Sequence, residues 1–425
     1  MAPSIRIAII GGGLAGASLI HALIKSPHLD VHIFEAAPEF KEAGMAIGIA
    51  RNAQAALRLI GPSAEKCLDQ AGAVPMKGVK FMLAQGEDSE GSMADEVDET
   101  AQGKRLTSIV HRVELLKALL ADIPEDRMHS SKKLQKIDQG SCISINFTDG
   151  TTHECDVLIG ADGIHSIVRK FVLGENDPAA SPKNSGAWFL MTLQPFDRAQ
   201  ASLGKDLVDL EDAREFGWAG RAAFLMHNIL SGGQLVQFAI ASHDRDVEHG
   251  SKDQWKRTVG AEEIKKLFAD WPPHLSKAVN ELLCNQPEHE ALYLWEHPKA
   301  ASYVSGPVCV TGDAAHSTTP WQGSGGGMSI EDSFTLSTLL EHAKTPVEAI
   351  AALKVYDQVR RPRTQRIVES SRATGDMLIG VHELDSRTAK SFMSRWDFII
   401  DIDMEKHRDE ALQMMEDELK RERVI

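Results

Sequence analysis

The run Ile5-Arg6-Ile7-Ala8-Ile9-Ile10 is β-branched and almost wholly apolar, the pattern of a parallel strand buried on both faces. It stops at three glycines, Gly11 to Gly13, after which the spacing from Ala17 to Lys25 has a helical period. A second strand follows at Val31-His32-Ile33-Phe34. Gly44 to Gly48 reads as a glycine-rich loop leading into a helix over Asn52 to Ile60, which Gly61-Pro62 terminates. Glu87 to Thr100 has few apolar residues and reads as an exposed acidic loop. Ser108 to Leu116 predicts a short strand followed by a helix. Ile143–Phe147 and Asp156–Ile159 read as strands of a hairpin with Asp149-Gly150 at its turn.

From Gly186 to Leu294 the texture changes. Trp188–Leu193, Ala222–Asn228 and Gln234–Ser242 are apolar or alternating and predict strands. Trp255 to Leu283 is helical in period, interrupted by Trp271-Pro272-Pro273. Val308 to Thr311 returns to a buried-strand pattern, and a long helix is expected from Ser329. Tyr356 to Arg366 carries a run of arginines and reads as a continuing helix on the outside. Glu405 to Arg423 is a highly charged helix with a solvated face, or secondarily a dimer contact.

The opening strand and its glycines carry the first chemistry. Gly11 permits a tight strand-to-helix turn, Gly13 admits a pyrophosphate to the backbone, and Gly16 allows close helix–strand packing. Helix-start N–H groups then face the phosphate. Glu35 closes the second strand, where an acid holds ribose hydroxyls. Strand, glycines, helix, second strand and acid stand in register, so an adenine dinucleotide site is predicted.

A chain of 425 residues exceeds one typical core, so two domains are expected. The net charge of −15 argues against partnership with nucleic acid or an anionic membrane. Its five cysteines are scattered without a C-x-x-C pair, which fits free thiols in a reducing compartment and excludes a zinc ribbon. The apolar run at Ile5–Ile10 is too short for a secretory signal, and no segment approaches the roughly 18 apolar residues of a spanning helix. A cytoplasmic location is the expectation.

The second chemical stretch runs Val310-Thr311-Gly312-Asp313-Ala314-Ala315-His316 and on through Pro320, Trp321 and Gly323 to Gly325-Gly326-Gly327-Met328, ending at Glu331-Asp332. A strand, an acid-bearing loop and a glycine-rich helix start point backbone N–H groups at a second anionic or electron-rich group. Two glycine-rich helix starts so far apart in sequence suggest one long ligand gripped at both ends.

These motifs, with Cys155-Asp156-Val157-Leu158-Ile159-Gly160-Ala161-Asp162-Gly163, Ser166 and Arg169 between them, resemble the single-component FAD-dependent aromatic hydroxylases. That is the para-hydroxybenzoate hydroxylase fold, and within it the salicylate-hydroxylase-like branch. The resemblance covers residues 5 to about 370 and implies an α/β fold. A Rossmann-type FAD-binding domain (1–80, 103–180 and 295–375) carries an inserted, mainly antiparallel β-sheet substrate domain (185–294) and a helical C-terminal tail (376–425). It implies non-covalent FAD, with NADH or NADPH as a transient cosubstrate. It also implies hydroxylation of a phenolic ring with oxygen through a flavin C4a-hydroperoxide, with decarboxylation where the attacked carbon bears a carboxylate.

Carried across residue by residue, Gly11, Gly13, Leu14, Ala15 and Gly16 meet the pyrophosphate, and Glu35 with Ala36 the ribose. Gly48 and Arg51 lie beside the flavin, and Arg112 reaches the cofactor from the following helix. Asp162 belongs to the motif associated with both FAD and NAD(P)H, and Asp313 meets the ribityl–pyrophosphate portion. Gly323, Gly325, Gly326, Gly327 and Met328 approach the isoalloxazine, and Pro320 stands where oxygen is activated. Taken alone, Arg112 would be a surface arginine and Asp313 a helix cap; the shared context assigns both to the cofactor. His316 is read as structural.

The substrate end departs from the family. Its aromatic-Pro pair is missing from Phe224-Leu225-Met226-His227-Asn228-Ile229, and the arginine of some fungal relatives is missing from Ala187–Met191. Arg221, His227 and Asn228 remain as polar candidates to meet a substrate hydroxyl, each weighed against a packing or surface role. Expected partners are a small aromatic substrate, NAD(P)H and oxygen, in a monomer or homodimer. Two other readings stand beside this one: a same-fold FAD epoxidase or reductase on a non-aromatic or prenylated substrate, and a non-catalytic FAD-binding interaction protein.

Overall fold

The computed structural model describes residues 5–41, 46–85, 92–98, 107–140, 142–244, 254–381 and 389–422. Ile5–Ile10 pairs in parallel with Leu29–Phe34 on one side and Val157–Gly160 on the other. This central position is the physical reason its pattern is apolar on both faces. The six-stranded sheet runs Val304–Ser305, Val308–Val310, Val157–Gly160, Ile5–Ile10, Leu29–Phe34, Met128–His129. The helix Leu14–Leu23 begins earlier than its apolar period suggests and lies against the sheet. A Cβ on Gly16 would sit 2.0 Å from the Gly11 carbonyl oxygen, so no other residue permits that approach.

A second, eight-stranded sheet runs Lys256–Gly260, Glu288–Glu296, Lys183–Pro195, Leu235–His243, Ala223–Leu230, Glu215–Ala219, Gly78–Leu83, Ser92–Asp98. Its pairings are antiparallel except that between Glu215–Ala219 and Gly78–Leu83. Two of these strands lie outside 185–294, so the sheet draws on chain expected elsewhere. One of them, Ser92–Asp98, corrects the expectation of an exposed loop over Glu87–Thr100. Edge pairing with Gly78–Leu83 satisfies its backbone despite its acidic side chains. Glu87 itself, and Gly44 of the expected glycine loop, fall outside the described residues. Gly48 lies within a strand, Ala46–Ala50, which pairs with Thr107–His111.

Three further expectations change. The hairpin partner of Ile143–Phe147 is Thr152–Cys155, and Val157–Gly160 instead enters the parallel sheet. The start of the helical stretch after Trp255 is the strand Lys256–Gly260, with helices Ala261–Leu267 and Pro273–Ala278 beyond it. The arginine run belongs to the helix Pro346–Leu378, in which Tyr356 and Arg360 are fully buried rather than outside. The C-terminal helix Met404–Glu422 buries Met404, Ala411 and Met415 in the core of the parallel sheet, leaving its charged positions outward. Among the described residues no helix is long and apolar enough to cross a membrane.

Alternation in the eight-stranded sheet defines two faces. Phe216, Trp218, Leu225, Phe238 and Ile240 pack on the back against Leu275 of the covering helices and against Phe268 and Trp271 in the connection between them. Ala187, Ala241, Phe189 and Phe224 pack on the front with Trp321. Trp321 ties that front face to the second glycine stretch, since Phe224 meets it edge-on at 6.3 Å between centroids.

Candidate active site

Tertiary packing brings the two glycine-rich stretches together. A Cβ on Gly312, held at φ +58°, would lie 2.6 Å from the Cβ of Ala15. The Ser18 and Ser333 hydroxyls hydrogen-bond at 2.7 Å, joining the helices Leu14–Leu23 and Gly325–His342. Neither helix start is capped by a side chain, so first-turn N–H groups of both remain available to a ligand. Glu35 stands at the same turn: its carboxylate accepts from the Gly12 and Ala37 N–H groups, each at 2.7 Å. Ala36 beside it is exposed. Asp313 is also exposed, directly after the Gly312 turn beside Ala15.

Around the second glycine run, a Cβ on Gly326 would meet Leu14 Cδ2 at 3.2 Å and Ile47 Cδ1 at 3.4 Å. The strand carrying Gly48 therefore borders this helix start. Gly325 and Gly326 are half-buried, Gly323 and Pro320 exposed. Arg112 opens the helix Arg112–Leu120 immediately after His111, which pairs with Ala46. Asn52, at the base of Gly327, is buried and has an Oδ1 without a partner. These surfaces fit an extended dinucleotide: a close-approach turn, unspent helix-start donors, an acid on the second strand and an orphaned acceptor near the other end.

Not every sequence-predicted residue turns its side chain to this groove. The Asp162 carboxylate accepts from Ser166 Oγ at 2.5 Å and from the Ile167 and Val168 N–H groups, so it serves the start of the helix Ile167–Leu173. Its backbone is what meets the cofactor turn, since a Cβ on Gly11 would lie 2.9 Å from Asp162 N. Arg51 pairs with Asp401 and donates to the Ile400 carbonyl. Met328 buries its side chain with Ile367, Val368 and Ile399. Arg221 lies exposed in the turn between Glu215–Ala219 and Ala223–Leu230.

His227 is on the back of the sheet. It stacks on Phe216 at 4.9 Å, and its Nε2 accepts from Trp218 Nε1 at 3.4 Å. Burial, with His274 nearby, pushes its pKa down to about 3. It is a neutral core histidine and does not face the groove. Asn228, one residue on, faces front and donates to Glu215 Oε2 at 3.0 Å. Sequence reasoning missed Glu215 and Gln237, because only strand register shows that they share Asn228's face.

His227→Phe should therefore leave the ratio of product to reductant unchanged. It should also make the protein less acid-sensitive. The folded-state pKa is depressed below the ordinary value of 6.5, so the unfolded chain binds the extra proton and stability falls as pH drops below that value. Between about pH 4 and 6 the substitution should flatten that decline by about 1.4 kcal/mol per pH unit. Urea unfolding followed by circular dichroism across that range checks it; parallel curves for both proteins would contradict the assignment.

His316 is a packed histidine, as expected, with Nε2 2.6 Å from Asp332 Oδ2. Asp332 in turn accepts from the Gly312 N–H and from Thr311 Oγ1 at 3.2 Å each, fixing the turn from which Asp313 projects. A cavity of about 620 Å³ reaches the end of the sheet's front face at Ala187 and His243, with Trp321, Glu296, His297 and Arg372 in its wall.

Comparison with known proteins gives concordant results. A family model described as an FAD binding domain matches residues 250–371. The 6-methylsalicylate 1-monooxygenase of Aspergillus terreus is 33% identical over 97% of this chain and 93% of its own length. A salicylate hydroxylase of Pseudomonas putida is 31% identical, covering 95% of each chain. A salicylate hydroxylase solved as a substrate complex superposes with a TM-score of 0.82 at 24% identity, over 96% of this chain and 98% of that one, and supports the fold. The chain belongs to the single-component FAD-dependent aromatic hydroxylases and is a flavoprotein monooxygenase.

Proposed function

We propose that this enzyme hydroxylates a phenolic ring bound between the front of the eight-stranded sheet and the Pro320–Gly327 loop, using NADH or NADPH and oxygen. The observation that carries this reading is Trp321, which joins the two surfaces: it packs on Phe224 of the sheet and lies within one residue of Pro320. FAD supplies the redox chemistry when bound. The residues disposed to hold it are Gly11, Gly13, Leu14, Ala15 and Gly16 at the pyrophosphate, Glu35 at the ribose, and Asp313 between the two glycine runs. Gly48, Arg112 and Gly325 to Gly327 border the ring.

The uncapped start of Gly325–His342 offers N–H donors and the positive end of an 18-residue helix to negative charge on the reduced ring. The front-facing Phe189, Met191, Phe224, Met226 and Ala239 are apolar. They exclude water and bring an aromatic ring flat against the sheet. The ring needs a hydroxyl or amino donor ortho or para to the carbon that is oxidised, and a carboxylate on that carbon would leave as carbon dioxide. Aspergillus and Pseudomonas relatives named for salicylates support the phenolic class.

Product formed per NAD(P)H consumed, measured with resorcinols, salicylates and a prenylated alkene, tests the reading. Phenols should stimulate oxidation of the reductant and yield hydroxylated product. Epoxidation of the alkene with no response to any phenol would overturn it in favour of an epoxidase.

A further inference from the structure

The front face of the sheet is apolar at its centre and polar at one end. Glu215, Asn228 and Gln237 stand side by side there on three adjacent strands: Glu215 follows in register beside Asn228, and Asn228 pairs directly with Gln237. Asn228 is 2% exposed; its Nδ2 donates to Glu215 Oε2 at 3.0 Å, while its Oδ1 has no partner. Gln237 is 3% exposed and accepts from the Ala46 N–H at 3.0 Å through Oε1. Ala46 opens the strand that carries Ile47 and Gly48, and Ile47 borders Gly326. The triplet therefore lies beside the ring end of the cofactor groove. A buried amide oxygen left unpaired is costly unless a ligand completes it.

The charge of this wall is as informative as its polarity. Along the front-facing register the residues are Ala187, Phe189, Met191 and Leu193, then Gln237, Ala239, Ala241 and His243 opposite them. Phe224, Met226 and Asn228 follow, and then Glu215, Gly217 and Ala219. Among these described positions none is lysine or arginine, and one is an acid. A desolvated carboxylate placed here would meet a carboxyl and two amides, with no cation to offset its lost hydration. A phenolic hydroxyl meets the same groups as a donor to Asn228 Oδ1 and an acceptor from the amides.

We infer that Glu215, Asn228 and Gln237 form the substrate-binding polar wall of this enzyme, and that it selects hydroxylated aromatic rings lacking a carboxylate. The inference rests on the phenol-hydroxylating function above. It sets this chain apart from its relatives named for salicylate and 6-methylsalicylate.

Resorcinol and 2,4-dihydroxybenzoate differ only by the carboxylate, and binding of each to the holoenzyme is read from perturbation of the flavin absorbance at pH 8. Resorcinol should bind more than about tenfold tighter. Glu215→Gln removes the acid with little change of shape and should narrow that ratio to about threefold. Asn228→Leu should weaken resorcinol by about tenfold while FAD content stays unchanged. Equal affinity for both rings in the unaltered enzyme would overturn the selectivity while leaving phenol hydroxylation intact. A ratio unmoved by Glu215→Gln would overturn the placement of the wall, and that arm decides if Asn228→Leu fails to fold. If neither ring perturbs the flavin and no phenol stimulates NAD(P)H oxidation, phenol hydroxylation itself falls, and the wall with it.

Discussion

Arg360→Leu is expected to destabilise the protein by about 3–5 kcal/mol, the cost of stranding buried carboxylates without their cation. Arg360 is fully buried. Its Nε donates to Asp332 Oδ1 at 2.7 Å and its Nη1 to Glu331 Oε2 at 2.6 Å. Arg363 donates twice more to Glu331 at 2.8 Å, and Asn52 donates to Glu331 Oε1 at 2.5 Å. Burial alone would raise both carboxyls. Arg360 and Arg363 instead hold Glu331 down at about 2, and His316 with Arg360 holds Asp332 well below the usual carboxylate range. Both folded-state values are depressed, so this stabilisation is complete above the unfolded values and is lost as pH falls through the folded ones. For Glu331 the window runs from its ordinary 4.5 down to about 2.

The variant should also lose FAD, because Asp332 fixes the Gly312 turn that sets Asp313 beside the first glycine run. Arg360→Lys should recover only part of the stability, since an ammonium cannot fork to two acids. Urea midpoints at unchanged slope, measured at pH 7, are the check. A loss below about 1 kcal/mol would mean the arginine's bonds do not survive in solution.

Glu35→Ala should weaken FAD by about 100-fold or more, through the loss of charge-assisted ribose bonds on the order of 1.5–3 kcal/mol each. The same carboxylate accepts from Gly12 and Ala37 N–H groups, so its removal also loosens the turn that admits the pyrophosphate. Glu35→Gln, which keeps an acceptor of the same length, should lie between. The purified enzyme should be yellow and lose flavin to dialysis in the order alanine, glutamine, unaltered. Equal flavin-to-protein ratios for all three after prolonged dialysis would remove Glu35 from the cofactor site.

The parts of the site legible in the sequence are those whose chemistry is local. Gly11 and Gly16 announce a strand-to-helix turn because only glycine tolerates the approach of Ala161 and Gly11 backbone there. Glu35 is legible because it ends a strand that must lie beside Ile5–Ile10. Gly312 is legible for a like reason, since it is held at φ +58° with Ala15 Cβ 2.6 Å from where its own Cβ would stand, and Gly325 to Gly327 are legible as a glycine run that opens a helix. His227 was not: its position next to Asn228 hides that neighbouring strand residues face opposite sides. Ser92–Asp98 was not legible either, since its composition is acidic and only its backbone pairing makes it a strand. The arginines around residue 360 look like a solvated face until the acids they neutralise, a helix away in sequence, are brought against them.

By itself the sequence determined the parallel strand, through an apolar run buried on both faces, the dinucleotide turn, through glycines at 11 and 16 that no other residue replaces, and, through the order of its motifs, the second glycine-rich helix start and membership in a flavoprotein family. The tertiary structure alone decided which face of the inserted sheet meets the cofactor groove. Strand register is set by pairing across the sheet, and a slip of one residue would exchange His227 for Asn228. It also decided that Arg360 is a buried counter-ion, because the free energy of a charge depends on the partners packed around it, whatever the composition of its own segment.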